Sequence, residues 1–175
     1  HGDTPLSKAS FGTKAAAAIR DAGGYQNVSP TGFIEACQNG TVELINDYIK
    51  GGGDVNHSFS GISALMFAVS NGSEASVRAL LQAGARVDST DRNGMTALHW
   101  AALFNHTKIA DILLKNGAKA SAKDNRGNTA GYYQYWKHGK NENTAARLGY
   151  SVPRDKAREQ AASARAFNEA FSALA

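Results

Sequence analysis

Five histidines and one cysteine are the side chains of this 175-residue chain that are best suited to bind a metal ion or to act as a nucleophile. Zinc enzymes often place two histidines on one helix face as His-Glu-x-x-His, and neither that pattern nor His-x-x-x-His occurs here. His57 and His138 therefore have no partner at ligand spacing. His1 fits the remnant of a tag, although a free terminal histidine can bind copper through its amine and imidazole. We predict no metal site.

The single cysteine, Cys37, excludes an internal disulfide and a zinc cluster built from cysteines. A reactive thiolate needs a nearby cation, and the neighbouring sequence supplies none. The chain has no Gly-x-Gly-x-x-Gly after a strand, no phosphate-binding loop that ends in Lys-Ser or Lys-Thr, and no Gly-x-Ser-x-Gly. Residues 124–127 (DNRG) lack the spaced acids of a calcium loop. We therefore predict that the chain is not an enzyme and binds no cofactor.

The overall charge is mildly basic, with a formal net charge of +4 and a pI near 9.2. Proteins that bind nucleic acid usually concentrate Lys and Arg on one face, whereas here acids such as Asp88 and Asp111 lie among the basic residues. No apolar run approaches the roughly 20 residues that a membrane helix needs. We expect one domain with no nucleic-acid partner and no membrane insertion. An acidic protein partner stays open, because charge steers association.

The cellular compartment is not readable from these residues. The chain begins at His1 without a methionine, which is expected of a trimmed or processed product, and a removed signal peptide would leave no trace. A soluble monomer in the cytoplasm is the default expectation. A periplasmic or secreted location applies instead if a signal peptide was removed before His1.

A repeat of 33 residues runs through the middle of the chain. Gly61, Gly94 and Gly127 recur at this interval, and so do the dipeptides at 84–85 and 117–118 (both Gly-Ala). Self-similarity at this period is the signature of helical repeats that stack into a solenoid. The periodicity therefore predicts an all-α chain of stacked helix-turn-helix units.

Two segments of the best repeat resemble a known family. Residues 96–102 (TALHWAA) resemble the Thr-Pro-Leu-His-x-Ala-Ala segment of the ankyrin repeat family, and residues 113–118 (LLKNGA) resemble its Leu-Leu-x-x-Gly-Ala ending. The resemblance implies an all-α ankyrin-repeat solenoid of about four repeats. Their predicted bounds are about 29–58, 59–90, 91–123 and 124–152.

The segments that flank the repeats are predicted to be capping helices, at residues 1–28 and 153–175. Phe11, Ala15 and Ile19 have helical spacing, and Phe167 and Phe171 have it at the other end. A solenoid needs such elements to cover the core that its last repeats would otherwise expose. An alternative for the C-terminal helix is that it also docks a partner.

The same position of each repeat carries a hydroxyl side chain that can accept a hydrogen bond from a free N–H at the start of a helix. We predict that these residues cap the four first helices, and they are Thr31, Ser63, Thr96 and Thr129. Gly84 and Gly117 follow the second helices, where a left-handed residue suits glycine.

Three further residues receive packing roles from their repeat positions. In the family, the histidine at the position of His99 usually hydrogen-bonds to backbone between neighbouring repeats. Cys37 falls at the inner-helix position that Val69 occupies in the next repeat, which predicts a small buried residue. Tyr133 falls at the position of Trp100, which is expected to point into the stack.

The resemblance also implies where a partner binds, namely the concave surface formed by the loop tips and the exposed ends of the first helices. Transferred position by position, this surface contains Phe59, Ile62, Arg92, Asn93, Met95, Leu103, Phe104, Arg126 and Trp136, with Lys137 beside them. Six of these are apolar at positions where polar side chains are expected, and exposed apolar groups mark interaction sites. A competing interpretation is that Phe104 and Trp136 pack under the terminal helices.

The function that follows is non-catalytic binding of a protein partner through the concave face and the loop tips. The alternative is an inhibitor or immunity-type protein that blocks the cleft of a partner enzyme. A fold of this kind serves many functions, so the sequence does not identify the partner.

Overall fold

Four helix pairs and one short hairpin make up the part of the chain that the computed structural model describes, which is residues 28–139 and 141–151. The helices are α1 (Pro30–Asn39), α2 (Val42–Lys50), α3 (Ala64–Asn71), α4 (Glu74–Gln82), α5 (Ala97–Leu103), α6 (Thr107–Lys115), α7 (Ala130–His138) and α8 (Glu142–Arg147). Strands β1 (Ser58–Phe59) and β2 (Ile62–Ser63) pair antiparallel between α2 and α3.

The helices stack in two layers. The first helices α1, α3, α5 and α7 pack each on the next, and α2, α4 and α6 form the second layer. Equivalent positions of successive repeats meet in one continuous core. Cys37, Val69 and Ala102 are all buried there. The predicted all-α solenoid is confirmed, whereas both predicted terminal helices lie outside the described residues, except for Val28 at the edge of the first.

The start of α1 differs from the prediction. The capping residue is Ser29, whose hydroxyl accepts a hydrogen bond from the Gly32 N–H at 3.1 Å, and Pro30 opens the helix. Thr31, the predicted cap, is the second residue inside α1. Proline suits the first helical turn because its φ is already helical and its missing N–H would have no partner. The Ser-Pro pair therefore starts this helix two residues earlier than the repeat period implies.

The other three caps occupy their predicted positions but differ in chemistry. Ser63 accepts from the Met66 N–H at 3.3 Å, as predicted. The Thr96 hydroxyl lies 2.9 Å from Nδ1 of His99. The Thr129 hydroxyl oxygen is buried and has no hydrogen-bond partner among the described residues. The hydroxyl at this one repeat position therefore has three different hydrogen-bonding environments.

The second helices end as the glycines predicted. Gly84 and Gly117 have φ values of 89° and 90°, a region that side chains with a Cβ rarely adopt. After each glycine, the following alanine N–H bonds back to a leucine carbonyl, Leu80 in one case and Leu113 in the other. The glycine N–H itself bonds to the Leu81 carbonyl in one case and to the Leu114 carbonyl in the other. These two bonds form the helix ending that a left-handed glycine allows.

His99 joins the third helix pair to the fourth. It is buried, and its Nδ1 accepts from the Thr96 N–H at 3.1 Å, so its proton is on Nε2. Nε2 then donates to the Asn128 carbonyl at 3.1 Å, in the loop of the next repeat. The predicted backbone contact between neighbouring repeats is confirmed.

We predict that Ser29→Ala lowers the free energy of unfolding by about 1 kcal/mol, because the Gly32 N–H loses its acceptor. Thr31→Ala is the matched control, since its exposed side chain should change stability by less than about 0.5 kcal/mol. Urea denaturation of both variants measures the difference. Loss of stability in Thr31→Ala alone would contradict the capping role of Ser29.

A second prediction compares two threonines that occupy one repeat position. Thr129→Val removes a buried hydroxyl without a partner and is expected to leave the melting temperature unchanged or to raise it. Thr96→Val removes the hydroxyl beside His99 and should lower the free energy of unfolding by about 1 kcal/mol. Equal losses in both variants, measured by thermal and urea denaturation, would show that the Thr129 hydroxyl is bonded.

Candidate functional site: the concave face and its loop tips

The loop tips of the third and fourth repeats are held by the same arrangement of hydrogen bonds around an aspartate. In the third repeat, Oδ1 of Asp91 accepts from the backbone N–H groups of Asn93 (2.8 Å) and Met95 (3.0 Å). Its Oδ2 accepts from the indole N–H of Trp100 at 3.0 Å. Both carboxylate oxygens are therefore used inside their own repeat.

The fourth repeat reproduces this arrangement 33 residues later. Oδ1 of Asp124 accepts from the N–H groups of Arg126 and Asn128, each at 2.9 Å. Its Oδ2 accepts from the hydroxyl of Tyr133. Tyr133 is half-buried against the core, so its ring packs as predicted while its hydroxyl orients the loop. This pairing was not predicted from the sequence, although the aspartate and the aromatic donor have the same spacing in both repeats.

The second repeat has no such pairing, because Ser58 and Phe67 stand at the aspartate and donor positions. Its loop tip is instead the β1–β2 hairpin, in which Phe59 pairs with Ile62. Phe59 is 55% exposed at this tip.

Neighbouring loop tips are joined to one another. The Asn125 N–H donates to the Asn93 carbonyl at 2.9 Å, and the Asn125 side-chain amide donates to the Arg92 carbonyl at 3.0 Å. The Arg92 side chain lies along Gly61, where an added Cβ would be 3.0 Å from its Cγ. The three tips therefore form a continuous edge.

The ends of α5 and α7 form the opposite edge of the concave face. Phe104 is 43% exposed, and the ammonium nitrogen of Lys137 lies 6.0 Å from its ring centroid, within cation–π distance. His138 donates through Nε2 to the Leu103 carbonyl at 2.8 Å. These contacts attach the end of α7 to the end of α5.

Trp136 belongs to an aromatic cluster around the fourth repeat. Its side chain is 42% exposed, its indole N–H donates to the Tyr150 hydroxyl at 3.3 Å, and Tyr135 lies edge-on to it with ring centroids 5.3 Å apart. Tyr135 is fully buried, and Tyr150 also contacts Tyr132. The sequence analysis did not include Tyr150, which follows α8 and meets α7 only through the fold.

The predicted site residues fall into two groups. Those exposed at the tips or helix ends are Phe59, Arg92, Asn93, Phe104, Arg126 and Trp136. The expected exposure of the others was wrong: Met95 is buried, and Ile62 and Leu103 are half-buried. Met95 is fixed because its N–H and its carbonyl both bond to Asp91, and Ile62 packs against the core.

The sequence of this helical stack matches the model of a known protein family. The family model described as ankyrin repeats matches three copies over residues 33–124, which is more than half of the chain. The chain belongs to the ankyrin repeat family. Ankyrin repeats are protein–protein interaction modules. The helix pair α7 and α8 lies beyond the matched residues and continues the ankyrin stack.

Curated relatives are similar to part of this chain. The chain is 38% identical over 100 residues to SH3 and multiple ankyrin repeat domains protein 1 from Homo sapiens, which covers 55% of the chain and 5% of that protein. It is 38% identical over 72 residues to Neurogenic locus notch homolog protein 1 from Xenopus laevis, covering 41% of the chain and 3% of that protein. The chain therefore spans a twentieth or less of these relatives.

Cys37, the candidate nucleophile of the ankyrin stack, is buried. Burial raises the pKa of the Cys37 thiol to about 12, so the thiol stays protonated near neutral pH. Within residues 28–139 and 141–151, no three His, Cys, Asp or Glu side chains are grouped closely enough to hold a metal ion. In the same residues, no helix is both long and apolar enough to cross a membrane.

The aspartate of the fourth repeat has a shifted pKa. Burial acts to raise the pKa of Asp124, but the hydrogen bonds from Tyr133, Asn128 and Arg126 outweigh it, and the pKa lies below its ordinary value. Burial and the bond to Asp124 raise the pKa of Tyr133. Near neutral pH the aspartate is therefore charged and the phenol keeps its proton.

We predict that Asp124→Asn lowers the free energy of unfolding by about 2 kcal/mol near pH 7, because the amide keeps one acceptor oxygen but loses the charge and the oxygen that accepts from the Tyr133 hydroxyl. The folded pKa is depressed, so this contribution is complete above the unfolded value of about 4 and disappears as the pH falls through the folded pKa. Urea denaturation between about pH 3 and 7 should show the gap to the wild type narrowing in acid. A gap independent of pH would contradict the charged acceptor.

Proposed function

We propose that this chain is a non-catalytic interaction module that binds a protein partner through its concave face and loop tips. Its membership of the ankyrin repeat family supports protein binding. The observation that carries the choice of surface is the exposure of Phe59, Phe104 and Trp136, the three large apolar side chains exposed among the described residues. Aromatic groups at such positions supply much of the binding energy in interfaces.

The rigidity of the loop tips supports the same surface. The carboxylates of Asp91 and Asp124 orient Asn93 and Arg126 before any partner arrives. Since these groups are already ordered, association loses less conformational entropy at the tips. Arg92, Asn93 and Arg126 therefore act as positioned polar contacts beside the aromatic anchors.

The proposal extends to the organisation of the chain. Residues 29–152 form the repeats, with bounds near 29–58, 59–90, 91–123 and 124–152, and residues 1–28 and 153–175 cap the two ends of a monomeric stack. Ile62, Met95 and Leu103 then support the binding surface from below instead of contacting the partner directly.

The test uses the full chain with a photo-crosslinking amino acid at Phe59 or Phe104, and at Arg78 or Lys115 on the second-layer helices as controls. A partner captured only from the first two positions is identified, purified and titrated by calorimetry. We expect Phe59→Ala/Phe104→Ala to weaken its binding at least about tenfold, without a change in melting temperature. Equal affinity of wild type and variant would contradict the assignment of the concave face.

A further inference from the structure

The third and fourth repeats differ from the first two in the chemistry of the concave face. The position of Phe104 and Lys137 is occupied in the first two repeats by Asn39 and Asn71. All four side chains are exposed, so the contrast concerns the surface and not the core. At this repeat position the surface changes from two neutral amides to an aromatic ring and a cation along the stack.

Three cations lie on this half of the face. Arg92 and Arg126 are exposed on adjacent loop tips that Asn125 joins by two hydrogen bonds, and Lys137 lies over the ring of Phe104. We call Arg92, Phe104, Arg126, Trp136 and Lys137 the aromatic–cationic patch. Arg92 and Arg126 lie at one edge of the concave face, and Phe104, Trp136 and Lys137 lie at the other, so a bound segment has to cross the face to contact both.

Within residues 28–139 and 141–151, the positive charges of this patch have no carboxylate partner. The ion pairs among the described residues are Lys119 with Asp88 and Arg147 with Asp111, and neither involves the patch. The acids nearest in sequence to Arg92 and Arg126 are Asp91 and Asp124, and each uses both carboxylate oxygens inside its own repeat. The cations of the patch are therefore available to an incoming anion.

We propose that the aromatic–cationic patch binds an acidic peptide segment of a partner protein, with carboxylates against Arg92, Arg126 and Lys137 and a bulky apolar side chain against Phe104 and Trp136. This inference rests on the proposed function and assigns the chemistry of the partner. The arginine fork matches a carboxylate with two parallel hydrogen bonds. The apolar anchor is needed because exposed ion pairs contribute little affinity alone.

The charge of the chain's own ends favours a partner over either terminal segment. Residues 1–27 contain three basic and two acidic residues, and residues 152–175 contain four basic and three acidic residues. Neither segment is acidic, so neither complements the patch. A polyphosphate chain is also a poorer match, because it offers no apolar side chain to Phe104 and Trp136.

The experiment measures fluorescence anisotropy of labelled probes with the full chain. The main probe is a short peptide with several glutamates around a Phe-Leu pair. Its two controls replace every Glu by Gln, or the Phe-Leu pair by Ser-Ser, and an oligouridylate tests nucleic acid. The variant Arg92→Gln/Arg126→Gln/Lys137→Gln is compared with Arg78→Gln/Arg86→Gln/Lys115→Gln, which has the same net charge but alters exposed sites outside the patch.

We expect the acidic apolar peptide to bind, and both control peptides to bind about tenfold more weakly. The patch variant should lose about tenfold in affinity while the control variant changes less than about twofold, and added salt should weaken binding. Equal binding of the Glu and Gln peptides, equal loss in both variants, or tight binding of oligouridylate alone would overturn the proposal. If Phe59→Ala/Phe104→Ala still loses the captured partner in such a case, the proposed function stands and only the acidic class is wrong.

Discussion

A single repeat of this chain cannot cover its own apolar face, and the neighbouring repeats supply the missing cover. Each short helix pair has one buried stripe, and Ile45, Val77 and Ala110 show how steps of 32 and 33 residues place equivalent side chains on that stripe. The helices are only six to ten residues long, so isolated they would be marginal in water. Their stability comes from packing between repeats.

Polar contacts between repeats set the order and spacing of the stack. His99 reaches the Asn128 carbonyl of the following loop, while His138 reaches back to the Leu103 carbonyl. In the loops that follow the second-layer helices α2 and α4, Oδ1 of Asn56 accepts from the Arg86 N–H at 2.8 Å. Hydrogen bonds have directional geometry, so these contacts specify alignment where apolar packing alone would tolerate small shifts. The concave face inherits its shape from this alignment.

The candidate site combines this rigid support with groups that the fold leaves in solvent. The carboxylate oxygens of the loop-tip aspartates accept hydrogen bonds from the backbone of their own loop and from an aromatic side chain. For this reason the aspartates do not form ion pairs with the neighbouring arginines. Phe104 follows the last turn of α5 and stays 43% exposed, although Lys137 of the next repeat lies over its ring. An interaction surface needs two properties, namely an ordered backbone beneath it and side chains that are exposed to solvent.

Prediction from the sequence worked best where a residue acts through its own repeat position. The glycine endings of α4 and α6 and the buried Cys37 follow from their repeat positions, and the contact of His99 follows from the resemblance to the ankyrin repeat family. Thr31 failed as a cap because Ser29 and Pro30 form a stronger local start, a signal that was present in the sequence but outside the 33-residue register. The predicted exposure of Met95 was wrong because the exposure of a loop residue depends on the hydrogen bonds of its backbone.

The sequence alone determined the period and the fold class, and it supplied the candidate residues for the proposed binding face. These properties depend on spacing along the chain and on local backbone preferences. Only the tertiary structure decided which apolar residues remain exposed, that Asp124 bonds to Tyr133, and that Lys137 covers Phe104. These contacts join residues from different turns and repeats, and their geometry exists only after the helices have packed.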